Sequence, residues 1–271
     1  MFRSRVSKIF AAVSGAALAA SLAGTATAGQ TSTPSFKEFK ASTYVDTDGQ
    51  YIVNGDEPVA TTGALRDFYD RMVKPRKVKK GDTSLVVNTV GGYDDKWSAT
   101  QARNLTYCVS TAFAGDHAAI VDAMAGGAAI WESATSALDF RYDASQDGSC
   151  NTRNNNVLFS VEPVSTTQYI ARAFFPSSPK SARNVLIDDS IWSSGSWEPV
   201  DILAHELGHA LGFRHEHTRP EAGTCFEDNN WRPLTAYDDS SIMHYPQCNG
   251  GSSDLEFQAS DAEGVRALYG S

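Results

Sequence analysis

The chain has 271 residues, of which 41% are hydrophobic and 20% charged, and this composition excludes a largely disordered protein. Its net charge of −9 at pH 7 would repel phosphate backbones, so nucleic acid is not an expected partner. The length suffices for one sizeable domain preceded by shorter processing segments.

The first 28 residues have the three parts of a secretory signal peptide. Three basic side chains lie within the first eight residues, an Ala-rich apolar stretch follows, and Ala26-Thr27-Ala28 provides a small-residue cleavage site. We therefore expect residues 1–28 to be removed on export. The rest of the protein is then expected to be secreted and free of the membrane, because no later run is long and apolar enough to span it.

Residues 29–90 form a second segment. They contain a short amphipathic stretch, residues 64–73, and then the basic run Lys-Pro-Arg-Lys-Val-Lys-Lys at residues 74–80. An exposed basic linker is easily cut by trypsin-like proteases, so residues 29–90 are interpreted as a propeptide. A solvated linker without a processing role is the alternative.

Residues 91–271 are predicted to form one domain of the α+β class. Helices are expected at residues 116–132 and 198–213, and a last one opens on a capping box at residues 260–263 and runs to residue 268. Five short stretches have the composition and alternation of strands: residues 105–110, 138–142, 157–161, 171–175 and 185–187.

The four cysteines allow three pairings in an exported protein. Sequence neighbours close the shorter loops, which favours the disulfides Cys108–Cys150 and Cys225–Cys248. A zinc site built from all four cysteines is the alternative, but the chain has no Cys-x-x-Cys spacing.

Histidines concentrate at the end of the predicted helix 198–213. His205 and His209 are four residues apart, so on a helix both imidazoles face one side and can bind one ion. Glu206, beside them, can accept a proton from a water bound to that ion. Hydrolytic zinc sites use three protein ligands, and Gly212 can turn the chain so that His215 reaches the same zinc. The pattern predicts one catalytic zinc ion.

The pattern from His205 to His215 resembles that of the metzincin metallopeptidases. Residues 212–216 and Arg219 are similar to the astacin family, and Ser-Ile-Met-His-Tyr at residues 241–245 resembles the astacin Met-turn. The chain departs from the astacin pattern after Arg219. Residues 171–176 resemble the substrate-binding edge strand of both matrixins and astacins, so the subfamily is left open.

This resemblance implies a twisted mixed sheet with an active-site helix and a smaller, irregular C-terminal subdomain that carries a terminal helix. It implies that Met243 lies beneath the zinc site as an apolar base and that Tyr245 reaches the metal or the developing oxyanion. Substrate would lie extended along the edge strand and add to it through main-chain hydrogen bonds.

Val-Asn-Gly-Asp at residues 53–56 resembles the astacin propeptide motif, whose aspartate occupies the zinc position that water needs. Asp56 would then keep the enzyme latent, because a carboxylate is a competent zinc ligand and displaces the nucleophile. The Asn54-Gly55 dipeptide equally favours a plain turn between two strands, and that alternative stays open.

Together these features predict a secreted, monomeric zinc metalloendopeptidase that hydrolyses polypeptides with a zinc-activated water and Glu206 as general base. Another metzincin subfamily would change specificity without changing the chemistry. A zinc-binding pseudo-protease that only binds partners is a second alternative, although it should have lost Glu206. A small-molecule amidohydrolase is the third, and the edge strand argues against it.

Overall fold

A computed structural model describes residues 33–73 and 85–271. The predicted signal peptide, residues 1–28, and the basic run, residues 74–80, lie outside the described residues. Within the described ranges, no helix combines the length and the apolar character that crossing a bilayer requires.

The elements confirm the predicted α+β class. The helices are α1 (Phe36–Ser42), α2 (Thr62–Val73), α3 (Ala99–Ala102), α4 (His117–Ala134), α5 (Pro199–Ala210) and α6 (Ala259–Tyr269). The strands are β1 (Tyr44–Val45), β2 (Tyr51–Val53), β3 (Glu57–Val59), β4 (Val86–Val90), β5 (Tyr93–Asp94), β6 (Leu105–Val109), β7 (Phe140–Tyr142), β8 (Phe159–Val164), β9 (Ala171–Arg172), β10 (Asn184–Asp188) and β11 (Trp231–Pro233).

The main sheet is mixed, as the metzincin resemblance implies. Its strand order is β7-β6-β8-β10-β9, with all neighbours parallel except β9, which lies antiparallel to β10 at one edge. Val185 and Ile187 of β10 point into the main core, while Leu186 between them points to the opposite face. One face of the sheet therefore packs on the helices, and the other is available to different parts of the chain.

The edge strand β9 is shorter than the predicted strand at residues 171–175. Phe175 leaves the ladder by donating its N–H to Ser178 Oγ at 3.2 Å and accepting from Ser178 N at 2.8 Å, which forms a turn. Pro176 has no N–H to offer a neighbouring strand. The prediction was therefore correct in place and too long by three residues.

Helix α5 is fixed against α4 by close backbone contact. A Cβ added to Gly127 of α4 would lie 2.8 Å from the backbone nitrogen of Ala204, so only glycine allows this approach. Trp131 of α4 donates its indole N–H to the Ala204 carbonyl at 2.8 Å and stacks on Phe213 just beyond α5. This packing sets where the far side of α5 points.

The chain after α5 is largely irregular, as expected, and its strand β11 pairs with β4. Strand β4 also contacts the end of α5 directly. Asn88 N donates to the Gly212 carbonyl and Arg214 N donates to the Val86 carbonyl, at 2.8 and 2.9 Å. Residues 86–90 thus pack with the elements that carry the histidines, although the sequence assigns them to the propeptide.

The terminal helix α6 begins earlier than its predicted capping box. Asp261 accepts from the Gln258 backbone N–H at 2.8 Å, so the box forms two residues ahead of the predicted one. Ser260, the expected cap, instead donates its hydroxyl to Asp238 at 2.5 Å.

Residues 33–73 form a small unit of two helices, α1 and α2, and an antiparallel three-stranded sheet in the order β1-β2-β3. Leu65 and Phe68 of α2 pack on Val53 to give this unit its own core. Ile52 packs instead on Tyr169 and on Leu186, the β10 side chain that points away from the main core. The unit therefore packs on the outer face of the main sheet at β9 and β10.

Disulfides join Cys108 to Cys150 and Cys225 to Cys248, the pairs that sequence proximity favours. The first links β6 to the segment that follows β7. The second links the segment after His215 to the residues just after Tyr245. Closing loops of 42 and 23 residues restricts the unfolded chain, an effect worth roughly 3–4 kcal/mol per bridge.

Candidate metal centre

Three histidines converge at the C-terminal end of α5. His205 and His209 lie on one side of α5, and His215 returns to them after the helix has ended. Their ligand atoms and those of Asp56 lie within 4.8 Å of one another, and Nε2 of His205 is 3.3 Å from Nε2 of His215. A tetrahedral zinc ion with bonds of about 2.0–2.1 Å would hold its ligand atoms about 3.3–3.4 Å apart. The spacing of the imidazoles fits that ion.

Asp56 completes the cluster from the N-terminal unit. Its carboxylate oxygens lie 3.3 Å from His215 Nε2, 3.5 Å from His205 Nε2 and 3.6 Å from His209 Nε2. Asp56 Oδ1 and His209 Nε2 are buried, yet neither has a hydrogen-bond partner among the residues that the structure describes. Buried polar atoms without partners are costly, and a cation between them would satisfy both. The donor set, three imidazoles and a carboxylate, suits zinc.

The second ring nitrogen of each histidine is held by a different acceptor. Nδ1 of His205 lies 2.7 Å from the Ile242 carbonyl, and Nδ1 of His209 lies 2.8 Å from the Phe213 carbonyl. Both acceptors require a proton on Nδ1, which leaves the Nε2 lone pair for a metal. Nδ1 of His215 lies 2.6 Å from a carboxylate oxygen of Glu227, with the same consequence.

The carboxylates and imidazoles of the cluster shift one another's pKa. Burial by itself would raise the pKa of Asp56, but the imidazoles of His215 and His209 hold it well below its usual range. Burial would lower the pKa of His215, but Asp56 and Glu227 raise it well above its usual value. Burial lowers the pKa of His205 to about 4.

Glu206 follows His205 on α5 and is 3% exposed. Its carboxylate accepts the backbone N–H of Ala173, next to the edge strand, and Oε2 has no partner in the described part of the chain. Burial and the nearby Asp56 carboxylate raise the pKa of Glu206 well above its ordinary value. A carboxyl group with a raised pKa is suited to exchange protons with a reacting water.

Met243 and Tyr245 both lie next to the histidine cluster. Tyr245 donates its hydroxyl to the Asp56 carboxylate, so it points at the same centre as the histidines. Met243 is fully buried beneath α5, where a Cβ on Gly208 would come within 2.4 Å of its sulfur. The Met243 carbonyl accepts Glu216 N at 2.8 Å, which connects the turn to the segment after His215.

Asp261 of α6 supports this turn, a role that the sequence did not reveal. Its carboxylate accepts the Ser241 hydroxyl at 2.5 Å and the Ile242 N–H at 3.0 Å. Because the Ile242 carbonyl in turn accepts from His205, the terminal helix helps to orient the His205 imidazole through one residue. The capping-box pattern marked Asp261 as part of a helix start and gave no sign of the longer contact.

Glu227 is a second functional residue that sequence reasoning missed. One carboxylate oxygen contacts Nδ1 of His215 and lies 3.2 Å from Nε2 of His217, and the other is 3.0 Å from Nη2 of Arg214. Arg214 also pairs with Asp228 and with Glu57 of the N-terminal unit. The only sequence signal was an acidic pair two residues after Cys225, which is disulfide-bonded to Cys248.

Gly212 turns the chain between the second and third histidines. Its φ is +101°, and the bonds Gly212 N to His209 O and Phe213 N to Gly208 O, at 2.8 and 2.9 Å, form a Schellman C-cap. A Cβ at this position would lie 2.0 Å from the Asp95 carbonyl oxygen.

We therefore expect Gly212→Ala to lower the free energy of unfolding by at least about 2 kcal/mol, since the left-handed conformation alone costs an alanine roughly 1–2 kcal/mol. Displacing His215 should weaken zinc binding as well. Urea unfolding and zinc titration measure the two effects. Gly148→Ala is the matched control, because its Cβ would meet nothing within 4 Å. Equal stability of the two variants would contradict this reading of Gly212.

Comparison with known proteins agrees with the site. A family model described as matrixin matches residues 96–222. Tolloid-like protein 2 of Homo sapiens is 36% identical over 91 residues, which cover 26% of this chain and 9% of that protein. The Mus musculus Tolloid-like protein 2 gives the same identity and coverage. The chain thus spans less than a tenth of the length of these curated relatives.

A solved structure of myroilysin aligns with a TM-score of 0.45 and 18% identity, over 68% of this chain and 98% of that one. The matched family segment, residues 96–222, contains the edge strand β9, all of α5 and His215. Matrixins are zinc peptidases, and the segment carries the three histidines and Glu206 in the order that the metzincin pattern requires. Residues 96–222 are thus similar to matrixins, and the arrangement of the site resembles that of the metzincin metallopeptidases, of which the astacin-like and matrixin-like groups both fit.

Proposed function

We propose that the chain is the latent precursor of a secreted zinc endopeptidase with His205, His209 and His215 as zinc ligands. The convergence of the three Nε2 atoms with the Asp56 carboxylate carries this proposal. The disulfides are compatible with export, which the signal-peptide pattern of residues 1–28 predicts.

A bound zinc ion would supply a Lewis acid that polarises the substrate carbonyl and makes water a nucleophile near neutral pH. Glu206 then takes the proton of the attacking water and delivers it to the leaving amine. Tyr245, freed from Asp56, donates its hydroxyl to the oxygen on which negative charge develops. Met243 packs closely against Gly208 beneath the histidines and gives the site an apolar floor.

Asp56 keeps the precursor inactive in this proposal. Its carboxylate would fill the ligand position that the catalytic water needs. It also accepts the hydroxyl of Tyr245, which is then not available to the oxyanion. Asn54 and Gly55, both with positive φ, form the turn between β2 and β3 that presents it. The turn and the inhibitory role, which the sequence left as alternatives, are thus compatible, because the hairpin turn delivers the aspartate.

Polypeptides are the substrates that a peptidase family implies. The free edge of β9 lies beside Glu206 and can accept an extended peptide as an additional strand. Next to the histidines, a cleft lined by Tyr169, Trp197, Ile202 and Leu255 offers an apolar surface for a side chain of that peptide.

Processing is proposed within residues 74–84, the linker that contains the basic run. Strand β4, which begins at Val86, pairs with β11 and contacts Gly212, so it belongs with the catalytic elements. We therefore place the start of the mature chain before Val86 rather than at residue 91. Release of the N-terminal unit would withdraw Asp56 and open the cleft.

The test combines metal analysis with an activity assay on the secreted full chain before and after limited trypsin digestion. We expect one zinc ion per chain in both forms, and casein cleavage only after digestion, with trypsin itself inhibited. A chelator should abolish the cleavage and added zinc should restore it. Zinc binding without cleavage would favour the pseudo-protease, and cleavage that survives complete metal removal would refute the proposal.

A further inference from the structure

Arg172 of the edge strand is fully buried, and both of its ionic partners come from the N-terminal unit. Its Nε lies 2.7 Å from Asp46 Oδ2, and its Nη2 lies 2.6 Å from Asp48 Oδ2. Within the catalytic part it contacts the neutral Asn184 through Nη1 at 3.2 Å. Removal of the unit would take away both carboxylates that balance this charge.

Arg214 is a contrasting case in the same structure. It pairs with Glu57 of the N-terminal unit, but also with Glu227 and Asp228, which stay with the catalytic elements. Release of the unit therefore leaves Arg214 compensated. Arg172 makes no direct ion pair with an acid of the catalytic elements in the described ranges, and the closest charges there, Glu162 and Glu206, act on it only at longer range. Release of the unit would therefore leave its guanidinium without a paired carboxylate.

The side chain of Arg172 points to the outer face of the sheet. Arg172 lies opposite Leu186 in the β9–β10 ladder, and Leu186 packs outward on Tyr169 and Ile52. The neighbours of Arg172 in sequence, Ala171 and Ala173, belong to the main core. The Arg172 guanidinium thus lies on the outer face of β9, the edge strand next to the cleft.

This position is close to the reacting centre. Ala173, one residue along the chain, gives its N–H to the carboxylate of Glu206. A peptide added antiparallel to β9 would place one side chain directly opposite Arg172 on the outer face, where cross-strand Cβ atoms lie about 4.5–5.5 Å apart. An opposite charge at that position is stabilising.

We propose that Arg172 is a specificity-determining residue of the processed enzyme and that it binds an aspartate or glutamate side chain of the substrate. The acidic side chain takes the place that Asp46 and Asp48 occupy in the precursor. The Tyr169 hydroxyl, which now donates to Asp46 at 2.5 Å, and the Asn184 side chain give the carboxylate further polar contacts. This inference rests on the proposed function and adds the substrate class.

The experiment uses the trypsin-processed protein on a peptide library in which each position is set in turn to Asp, Asn, Glu or Gln. At one position we expect the acidic residue to raise kcat/KM by about tenfold over its amide, which corresponds to about 1.4 kcal/mol. Arg172→Gln should reduce the ratio of kcat/KM for acid and amide peptides at that position to about one, and Arg172→Lys should retain part of the preference. Arg141→Gln, in β7 at the opposite edge of the same sheet, should retain all of it.

Arg172→Gln leaves the buried Asp46 and the partly exposed Asp48 without their cation, so a companion variant carries Asp46→Asn and Asp48→Asn as well. The wild-type library alone is also decisive, because equal cleavage of acid and amide peptides at every position would overturn the proposal. So would a preference that persists in the Arg172→Gln enzyme.

Failure of the proposed function gives a different result, since no peptide would then be cleaved. In that case a labelled peptide with the sequence of residues 43–53 is titrated into the processed protein and followed by fluorescence anisotropy. Tighter binding than its Asp46→Asn, Asp48→Asn counterpart by about tenfold, lost in Arg172→Gln, supports the acidic site without catalysis. Equal binding of the two peptides rejects it.

Discussion

Glu206→Gln is expected to lower kcat of the processed protein by roughly 10²–10⁴-fold while zinc stays bound, because a positioned general base contributes about that factor. The amide keeps the size of the carboxylate but has no lone pair of comparable basicity. The ligands are unchanged, since His205 and His209 keep their Nδ1 contacts with backbone carbonyls. KM should change little, because the missing interaction belongs to the proton transfer.

Glu198→Gln provides the matched control for this variant. Glu198 lies at the start of the same helix, is exposed and makes no capping hydrogen bond with its side chain. It should retain wild-type kcat and zinc content. If Glu206→Gln also kept its turnover, another group would have to be the base, and loss of zinc in that variant would assign Glu206 to metal binding.

Asp56→Ala is expected to give the unprocessed chain peptidase activity. The substitution removes one ligand and the acceptor of the Tyr245 hydroxyl, both of which hold the N-terminal unit on the cleft. One charged hydrogen bond is worth about 1.5–3 kcal/mol, so the open form should become roughly 10–100 times more populated. Activity of the uncut protein, measured with a fluorogenic peptide before any protease is added, should rise by that factor.

Asp67→Ala is the control for this change, because Asp67 is an exposed carboxylate on α2 of the same unit. It should leave the precursor silent. Intact mass must be checked in each assay, since activity that appears only with a shortened chain would reflect processing. An uncut Asp56→Ala protein that stays inactive would place latency in the other contacts of the unit, such as Glu57 with Arg214.

The parts of the site that the sequence predicted are those encoded by short, regular spacing. His205 and His209 share a helix face because of the 3.6-residue period, and Gly212 marks the helix end because few other residues adopt positive φ. The main strands and α5 were predicted from the spacing of apolar residues, which depends only on which side of each element is buried. These features need no knowledge of distant contacts.

The residues that the sequence did not reveal act across long separations. Asp261 reaches the Met-turn from the terminal helix, and Asp46 reaches Arg172 across 126 positions of the chain. Acidic residues of this kind are indistinguishable in sequence from solvated surface charges, and only the fold brings them to their partners. The length of β9 was overestimated for a related reason, because the turn at Phe175 depends on Ser178 as a partner for its N–H.

The backbone hydrogen bonds of β4 with Gly212 and Arg214 mean that the chain before residues 74–84 and the chain after them have different roles. Upstream of residues 74–84, the described residues 33–73 place Asp56 against the three histidines, while strand β4 downstream bonds to the loop that carries His215. Cleavage within residues 74–84 would therefore release Asp56 with its unit and keep β4 in the mature protein. Cleavage a few positions later, within β4 itself, would remove Asp56 but would also remove the backbone bonds that support the loop carrying His215.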